Sequence, residues 1–258
     1  MVLMDAAELA INICESLGVD EAETFVQKRR TPEIVLERGE IQSERSKTRL
    51  GIGIRVVKDK KLGFVHSSIL DKPTIEKICG NALKLVETSP PNSEWVSLPL
   101  PKKVPQTPAG IYDEEVASLS CEEVLSLVAQ GYDAAREAEP RASIDDGKLS
   151  ASTVETAIAN SHGISLEEKE TTLSFFLVCI AKEKEATSSF AYEYDISRTL
   201  QNFSPRKVGE LAAEKASASL NPRGVKSFEG NAVLSPDVAA DILFEPVISS
   251  VNADNVQR

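Results

Sequence analysis

Apolar residues recur along this chain in two rhythms, and the changes of rhythm outline a fold. Residues Asp5–Leu17 put Ala7, Ala10, Ile11, Cys14 and Leu17 on one face at helical spacing, and Gly18 ends that pattern. A period of two follows, predicting strands at Ala22–Lys28, Glu33–Arg38, Ile41–Lys47, Leu50–Lys58 and Leu62–Ser68. Arg38-Gly39-Glu40 and Asp59-Lys60-Lys61 supply reversals, so these strands read as an antiparallel meander. Helical spacing returns from Lys72 to Glu87 behind the cap Asp71, with Ile75, Ile78, Cys79, Ala82, Leu85 and Val86 inward. Residues 1–88 thus read as one α+β unit.

Both rhythms vanish over 89–112, where Pro90, Pro91, Pro99, Pro101, Pro105 and Pro108 mark a linker. Trp95, the only tryptophan, is expected to pin this stretch to a domain surface, with substrate stacking as the alternative. A second α+β unit occupies 113–222. Ser120 and Glu123 form a capping box for a helix over Cys121–Ala138, and strands follow at about 142–149, 152–160, 165–181 and 187–195. The run Leu173–Ile180 is apolar on both faces, as in a central strand covered twice. Pro205 opens a last helix that ends before Asn221-Pro222. The helix–meander–helix order occurs twice, which fits either an internal duplication or a common plan used twice.

Residues 223–258 offer a short strand at Ala232–Leu234 and a helix begun by Ser235-Pro236-Asp237, with a kink or stop near Phe244 ahead of Pro246. That is too little to bury its own apolar surface. It reads as the start of a truncated C-terminal domain, protease-sensitive from Val225 onward.

Charge narrows the possibilities. With 29 basic and 40 acidic residues the chain carries −11, which argues against a general nucleic-acid binder. No apolar run approaches a membrane span, and Asp5 and Glu8 without an early Lys or Arg are unlike a signal peptide, so a cytoplasmic setting is expected. The first meander is nonetheless basic: Lys28–Lys61 holds eleven Lys/Arg against five Asp/Glu. That is either the solvated face of a sheet or a surface for an acidic partner or peptide carboxylates.

Cys14, Cys79, Cys121 and Cys179 lie far apart, without metal-ligand or disulfide spacing, and read as buried free thiols. His66 and His162 fall in different units and nominate no site; His162 reads as a solvated turn residue. The carboxylates at Asp145-Asp146, Glu167-Glu168, Glu183, Glu185, Glu193 and Asp195 follow turns and strand faces. There is no Gly-x-Ser-x-Gly elbow, and Gly51-Ile52-Gly53 sits within a strand rather than before a helix.

Several stretches carry a resemblance. Arg38-Gly39-Glu40-Ile41-Gln42, the later Gly51-Ile52-Gly53-Ile54-Arg55, Gln201-Asn202-Phe203-Ser204-Pro205, and the Ser-Pro-Asp cap with the tail Asn252–Arg258 resemble, in that order, the TldD/PmbA family. Its members, once called modulators of DNA gyrase, are grouped with zinc metallopeptidases, and catalytic ones carry His-Glu-x-x-x-His in this last region. Aligned on the Asp that follows, the motif falls on Phe244, Glu245 and Ser249, so only the glutamate matches. A phenyl ring has no lone pair and a neutral hydroxyl is a poor zinc ligand. The resemblance is therefore to the PmbA (TldE-like) branch. It implies a subunit with no catalytic or metal residues of its own and no zinc, the zinc residing in a catalytic TldD-like partner. It also implies a heterodimer or a homodimer, and a peptide or unfolded-protein substrate. Two alternatives stay open: an active peptidase with its ligands beyond Arg258, and a peptidase-independent binding regulator of the gyrase-modulator type.

Overall fold

Very long antiparallel strands dominate the computed structural model, which describes residues 2–102 and 108–256. Of the expected features, Met1, Pro105 in the linker, and Gln257 and Arg258 in the tail lie outside the described residues. Helix α1 (Leu3–Ser16) precedes β1 (Glu21–Glu37), β2 (Glu40–Lys58), β3 (Lys61–Ser67) and α2 (Lys72–Thr88). Then come α3 (Glu114–Ser118), α4 (Cys121–Ala138), β4 (Ala142–Asn160), β5 (Ser165–Glu183), β6 (Ala186–Thr187), β7 (Ala191–Ser197) and α5 (Pro205–Ala218). The fold is α+β. The reversals fall at the residues that the turn chemistry marks: Arg38 and Gly39, then Asp59 and Lys60, all have positive φ, as a two-residue hairpin turn requires.

Where the pattern suggests two strands, the chain makes one. Glu21–Glu37 runs unbroken through Pro32 although β1 is flanked by β2 and β4. A proline lacks the N–H that a central strand must donate to a neighbour. The ladder to β4 accordingly skips Thr31 and Pro32, and the hydroxyls of Thr31 and Ser152 bridge the gap at 3.0 Å. Bulges at Val35/Leu36 and Ile144/Asp146 add curvature. In the opposite direction, the single strand expected at 187–195 is two, β6 and β7. Ser188 turns inward between them and its hydroxyl takes the Ala181 N–H at 2.8 Å. The short helix α3 has too few residues for a helical period to show; Asp113 caps it by accepting from the Glu115 N–H.

Strand order is β3-β2-β1-β4-β5, with β6 and β7 both pairing β5. The Pro-rich stretch divides the sequence, but β1 pairs β4 across it from Glu23 to Glu37, and both meanders share one sheet. Compact units separate elsewhere, as Met1–Asn221 and Pro222–Arg258.

One face of the sheet carries the apolar cores. Ala7, Ala10, Cys14, Ile75, Cys79 and Ala82 from α1 and α2 pack on Val26, Ile52, Ile54 and Ala157. Val124, Val128, Ala135, Val208 and Ala212 from α4 and α5 pack on Ile34, Leu149, Leu173, Phe175 and Leu177. Between these patches Arg30 donates to the Ala117 and Leu119 carbonyls at the end of α3. Helices α4 and α5 touch through glycine. A Cβ on Gly209 would stand 1.9 Å from the Gly131 carbonyl oxygen, so no side chain fits there.

The other face lacks such a cover. Along β5, Leu173, Phe175, Leu177 and Cys179 are fully buried, while Phe176 between them is 38% exposed. The expectation of a strand covered twice is therefore corrected: helices pack on one face only. Cys14, Cys79 and Cys179 are buried free thiols, whereas Cys121, the first residue of α4, is half-buried. Among the described residues no helix is long and apolar enough to cross a membrane.

In the second unit, 222–235 has no regular structure and Ala232–Leu234 is not a strand; it has no neighbouring strand among the described residues to take its N–H and C=O groups. Of the kink or stop expected near Phe244, the helix does not stop; its regularity breaks there in a π-helical turn. Helix α6 (Pro236–Ala239) runs into a π-helical turn (Ala240–Phe244) and on into α7 (Glu245–Ser250), then α8 (Ala253–Val256). Pro246 cannot donate to the preceding turn, and a widened turn accommodates both the missing bond and the ring.

Candidate functional site

The positions that the sequence sets against the zinc motif lie on this last helix. Phe244 closes the π turn and is 65% exposed; Glu245 opens α7 and Ser249 lies near its end, both exposed. The donor set does not fit a zinc ion. Phe244 offers no lone pair, no histidine occurs in the unit, and no cluster of three His, Cys, Asp or Glu suited to a metal exists among the described residues.

The histidines do not meet. His66 sits on the open sheet face, with its ring against Phe64 at 6.5 Å between centroids. His162 is not the solvated turn residue expected. Its Nε2 lies 2.7 Å from Glu21 Oε1 and 3.2 Å from Ser97 Oγ. Glu21 is the hub of this group: it also accepts from Trp95 Nε1 at 2.7 Å, Ser97 Oγ at 2.6 Å and the Leu98 N–H at 3.0 Å. Burial would raise the Glu21 pKa, but the donors Ser97, His162, Trp95 and Leu98 outweigh it and bring it to about 2. Serine, histidine and carboxylate in one place suggest a hydrolytic triad, but the geometry refuses it. One ring nitrogen faces both the serine and the glutamate, and the serine proton is directed to the carboxylate, so the imidazole has no free lone pair aimed at Oγ. The group is a latch. It ties the Pro-rich stretch to the start of β1, and Asn160 adds a bond from Nδ2 to the Pro99 carbonyl at 2.8 Å. Trp95 has the pinning role the sequence suggests.

A second carboxylate organises the open face. Glu33, 3% exposed, projects from β1 on the side away from the helices. It accepts from Arg45, from Lys47 Nζ at 2.8 Å and from Lys148 Nζ at 2.9 Å. Burial would raise its pKa, but bonds from Lys47, Lys148 and Arg45 pull it down to about 2. Beside it is a polar cavity of about 290 Å³ lined by Arg29, Thr31, Lys47, Arg49, Lys148 and Ser152. The basic bias of Lys28–Lys61 points toward this place, but neither Glu33 as its centre nor Lys148 as a contributor is visible in sequence. Lys148 arrives through the β1–β4 pairing, 115 residues on from Glu33. The carboxylates at 145–146, 167–168, 183–185 and 193–195 do not gather here.

Comparison with known proteins gives the family. Residues 22–86 match PmbA/TldA metallopeptidase domain 1, and residues 114–220 match the PmbA/TldA metallopeptidase central domain. An uncharacterized protein of Methanocaldococcus jannaschii is 28% identical over 256 residues, 99% of this chain and 56% of that one. Metalloprotease PmbA of Escherichia coli O157:H7 is 22% identical over 272 aligned residues, 100% of this chain and 57% of that one. The chain thus spans a little over half the length of these curated relatives. The crystal structure of TldE from Thermococcus kodakarensis superposes with a TM-score of 0.76 at 25% identity, over 82% of this chain and 47% of that one. With the two domain matches spanning two thirds of its residues, this chain belongs to the PmbA/TldD metallopeptidase family.

Proposed function

We propose that this chain is a non-catalytic subunit of a PmbA/TldD-type metallopeptidase complex, pairing with a zinc-bearing TldD-like subunit and helping to shape the space that receives a peptide. One feature of the sequence carries the reading: aligned on the Asp that follows, the two histidines of the catalytic motif fall on Phe244 and Ser249. The family implies zinc somewhere in the assembly, where it supplies an activated water for attack on an amide. Here Glu245 alone has no such water to work on. The chain's own part is to carry the open sheet face and the Glu21 latch. A second reading, of an active peptidase whose ligands lie outside these 258 residues, is favoured by the similarity to Metalloprotease PmbA of Escherichia coli O157:H7.

Metal analysis and peptidase assays on the full-length gene product, on a His-Glu-x-x-x-His partner and on their mixture test this. The expected result is well under one equivalent of zinc in this protein and hydrolysis that needs the partner. Tightly held zinc with metal-dependent turnover by this protein alone replaces the proposal with the second reading. Restoring the histidines by Phe244→His and Ser249→His is expected to leave zinc binding substoichiometric. A regular helix sets positions five apart about 140° from each other, and the unit offers no third His or Cys ligand.

A further inference from the structure

We infer that the open face of the sheet carries a binding site for an extended acidic peptide, one of whose carboxylates enters the slot between Arg29, Arg49, Lys47 and Lys148. Charge in the slot is not balanced. Glu33 supplies one negative charge, and Arg45, Lys47 and Lys148 already converge on it. Arg29 and Arg49 add two more positive charges, with no carboxylate among the described residues within ion-pairing distance of either. These two arginines are Cα partners, directly opposite each other on β1 and β2. Like charges so placed repel, and a sheet gains nothing from them by itself. An anion between them turns the repulsion into two charge-assisted bonds. Thr31 and Ser152 line the same cavity, and whichever hydroxyl accepts in their mutual bond keeps its own O–H to donate to the anion.

The size and setting of the slot select the anion. About 290 Å³ admits a side-chain carboxylate with its water. A chain carrying −11 repels a nucleic-acid backbone beyond the slot, whereas a short acidic peptide feels mainly the local field. The backbone beside the slot is suited to an extended partner. Strand β3 pairs with β2 only from Ile52 to Lys58, so the outer edge of β2 from Glu40 to Gly51 has no strand partner among the described residues. A peptide added along that edge places every second side chain on the same face as Arg45, Lys47 and Arg49. This deepens the proposal of a peptide-handling chain, but it needs neither metal nor partner. Binding measured on this chain alone can therefore fail while the two-subunit activity stands, and the reverse.

The test is fluorescence anisotropy of labelled ten-residue peptides with the 258-residue chain. The probes are an alternating Glu-Thr peptide with an amidated C-terminus, its Lys-for-Glu counterpart, and an oligothymidylate of the same length. The acidic peptide is expected to bind and to weaken as salt rises. Arg29→Glu with Arg49→Glu is expected to weaken it at least about tenfold, while Lys72→Glu on the far helix α2 changes it less than about twofold. The variant Arg29→Ala with Arg49→Ala provides the folding control: binding falls while the Tm holds or rises, because the repulsion is gone. Equal binding of the lysine peptide, unchanged binding in the double variants, or oligothymidylate binding as tightly as the acidic peptide overturns the inference. So does a fall of several degrees in the Tm of the alanine variant, which makes the arginines structural. Concentration-dependent dimerisation that excludes the acidic peptide overturns it as well, since the face then belongs to a second copy.

Discussion

The two faces of the sheet are written by the same strands, on alternate residues, yet they obey different rules. On β1 the residues Ala22, Thr24, Val26, Ile34 and Leu36 are buried under helices, while Phe25, Gln27, Arg29 and Thr31 look the other way and remain accessible. The covered face is held by shape: small residues where helices cross, aliphatic side chains where they lie on strands. On the open face a charged cluster surrounds one buried acid, with aromatic patches to either side, Phe25 and Phe64 near β3, Phe176 and Tyr192 near β7. Stability resides in the first face; the second is where the proposed peptide site lies. A residue's apolar character alone does not say which face it serves.

The sharpest way to break this contrast is at the helix crossing. Gly209→Leu forces a side chain into the Gly131 carbonyl, 1.9 Å from the new Cβ, and separates α4 from α5. A loss of more than about 3 kcal/mol is expected by urea unfolding. Next comes a pair of neighbours on β5. Leu173→Ala removes a fully buried side chain and is expected to cost about 3 kcal/mol, whereas Phe176→Ala, three residues on and on the other face, costs less than about 1 kcal/mol. Equal losses mean that the open face is a core surface after all.

Glu33→Gln tests the open face by itself. It keeps the shape and leaves three cations around a neutral amide, for an expected loss of about 2 kcal/mol at pH 7. The effect depends on pH in a set direction. The folded pKa of Glu33 is depressed from about 4.5 to about 2, so its contribution is complete above pH 4.5 and is lost as the pH falls toward 2. Wild type and variant should converge in stability over that window; a constant difference down to pH 2 rules out the ionic origin.

A smaller effect than at Glu33 is expected at the latch. Glu21→Gln keeps a hydrogen-bond acceptor for Trp95 but loses the charge that also attracts donors from Ser97, Leu98 and His162. A loss of about 1 kcal/mol is expected. A red-shifted tryptophan emission and faster cleavage within Trp95–Lys102 should accompany it. No change in emission removes Glu21 as the anchor of that segment.

The sequence by itself determined the elements that rest on local chemistry. Ser120 and Glu123 form the capping box of α4, Asp71 caps α2 through the Thr74 N–H, and positive-φ turns fall at Arg38-Gly39 and Asp59-Lys60. Each of these is decided within four residues, so its signal is complete in a short window. Helical faces such as Ala7, Ala10 and Cys14 were legible for the same reason. Only the tertiary structure decided what depends on a distant partner. A broken ladder with β4 lets Pro32 sit inside a central strand. Leu173 and Phe176 look alike in a window, but helices cover one and not the other. Glu21 and His162 meet across 141 residues, and Glu33 and Lys148 meet because β1 pairs β4. The proposed correspondence of Phe244 and Ser249 to the motif's two histidines rests on residue identity and needed no fold to be seen. The Glu33 cluster on the open sheet is a matter of which strands lie side by side, and strand pairing between distant segments leaves no trace in local periodicity.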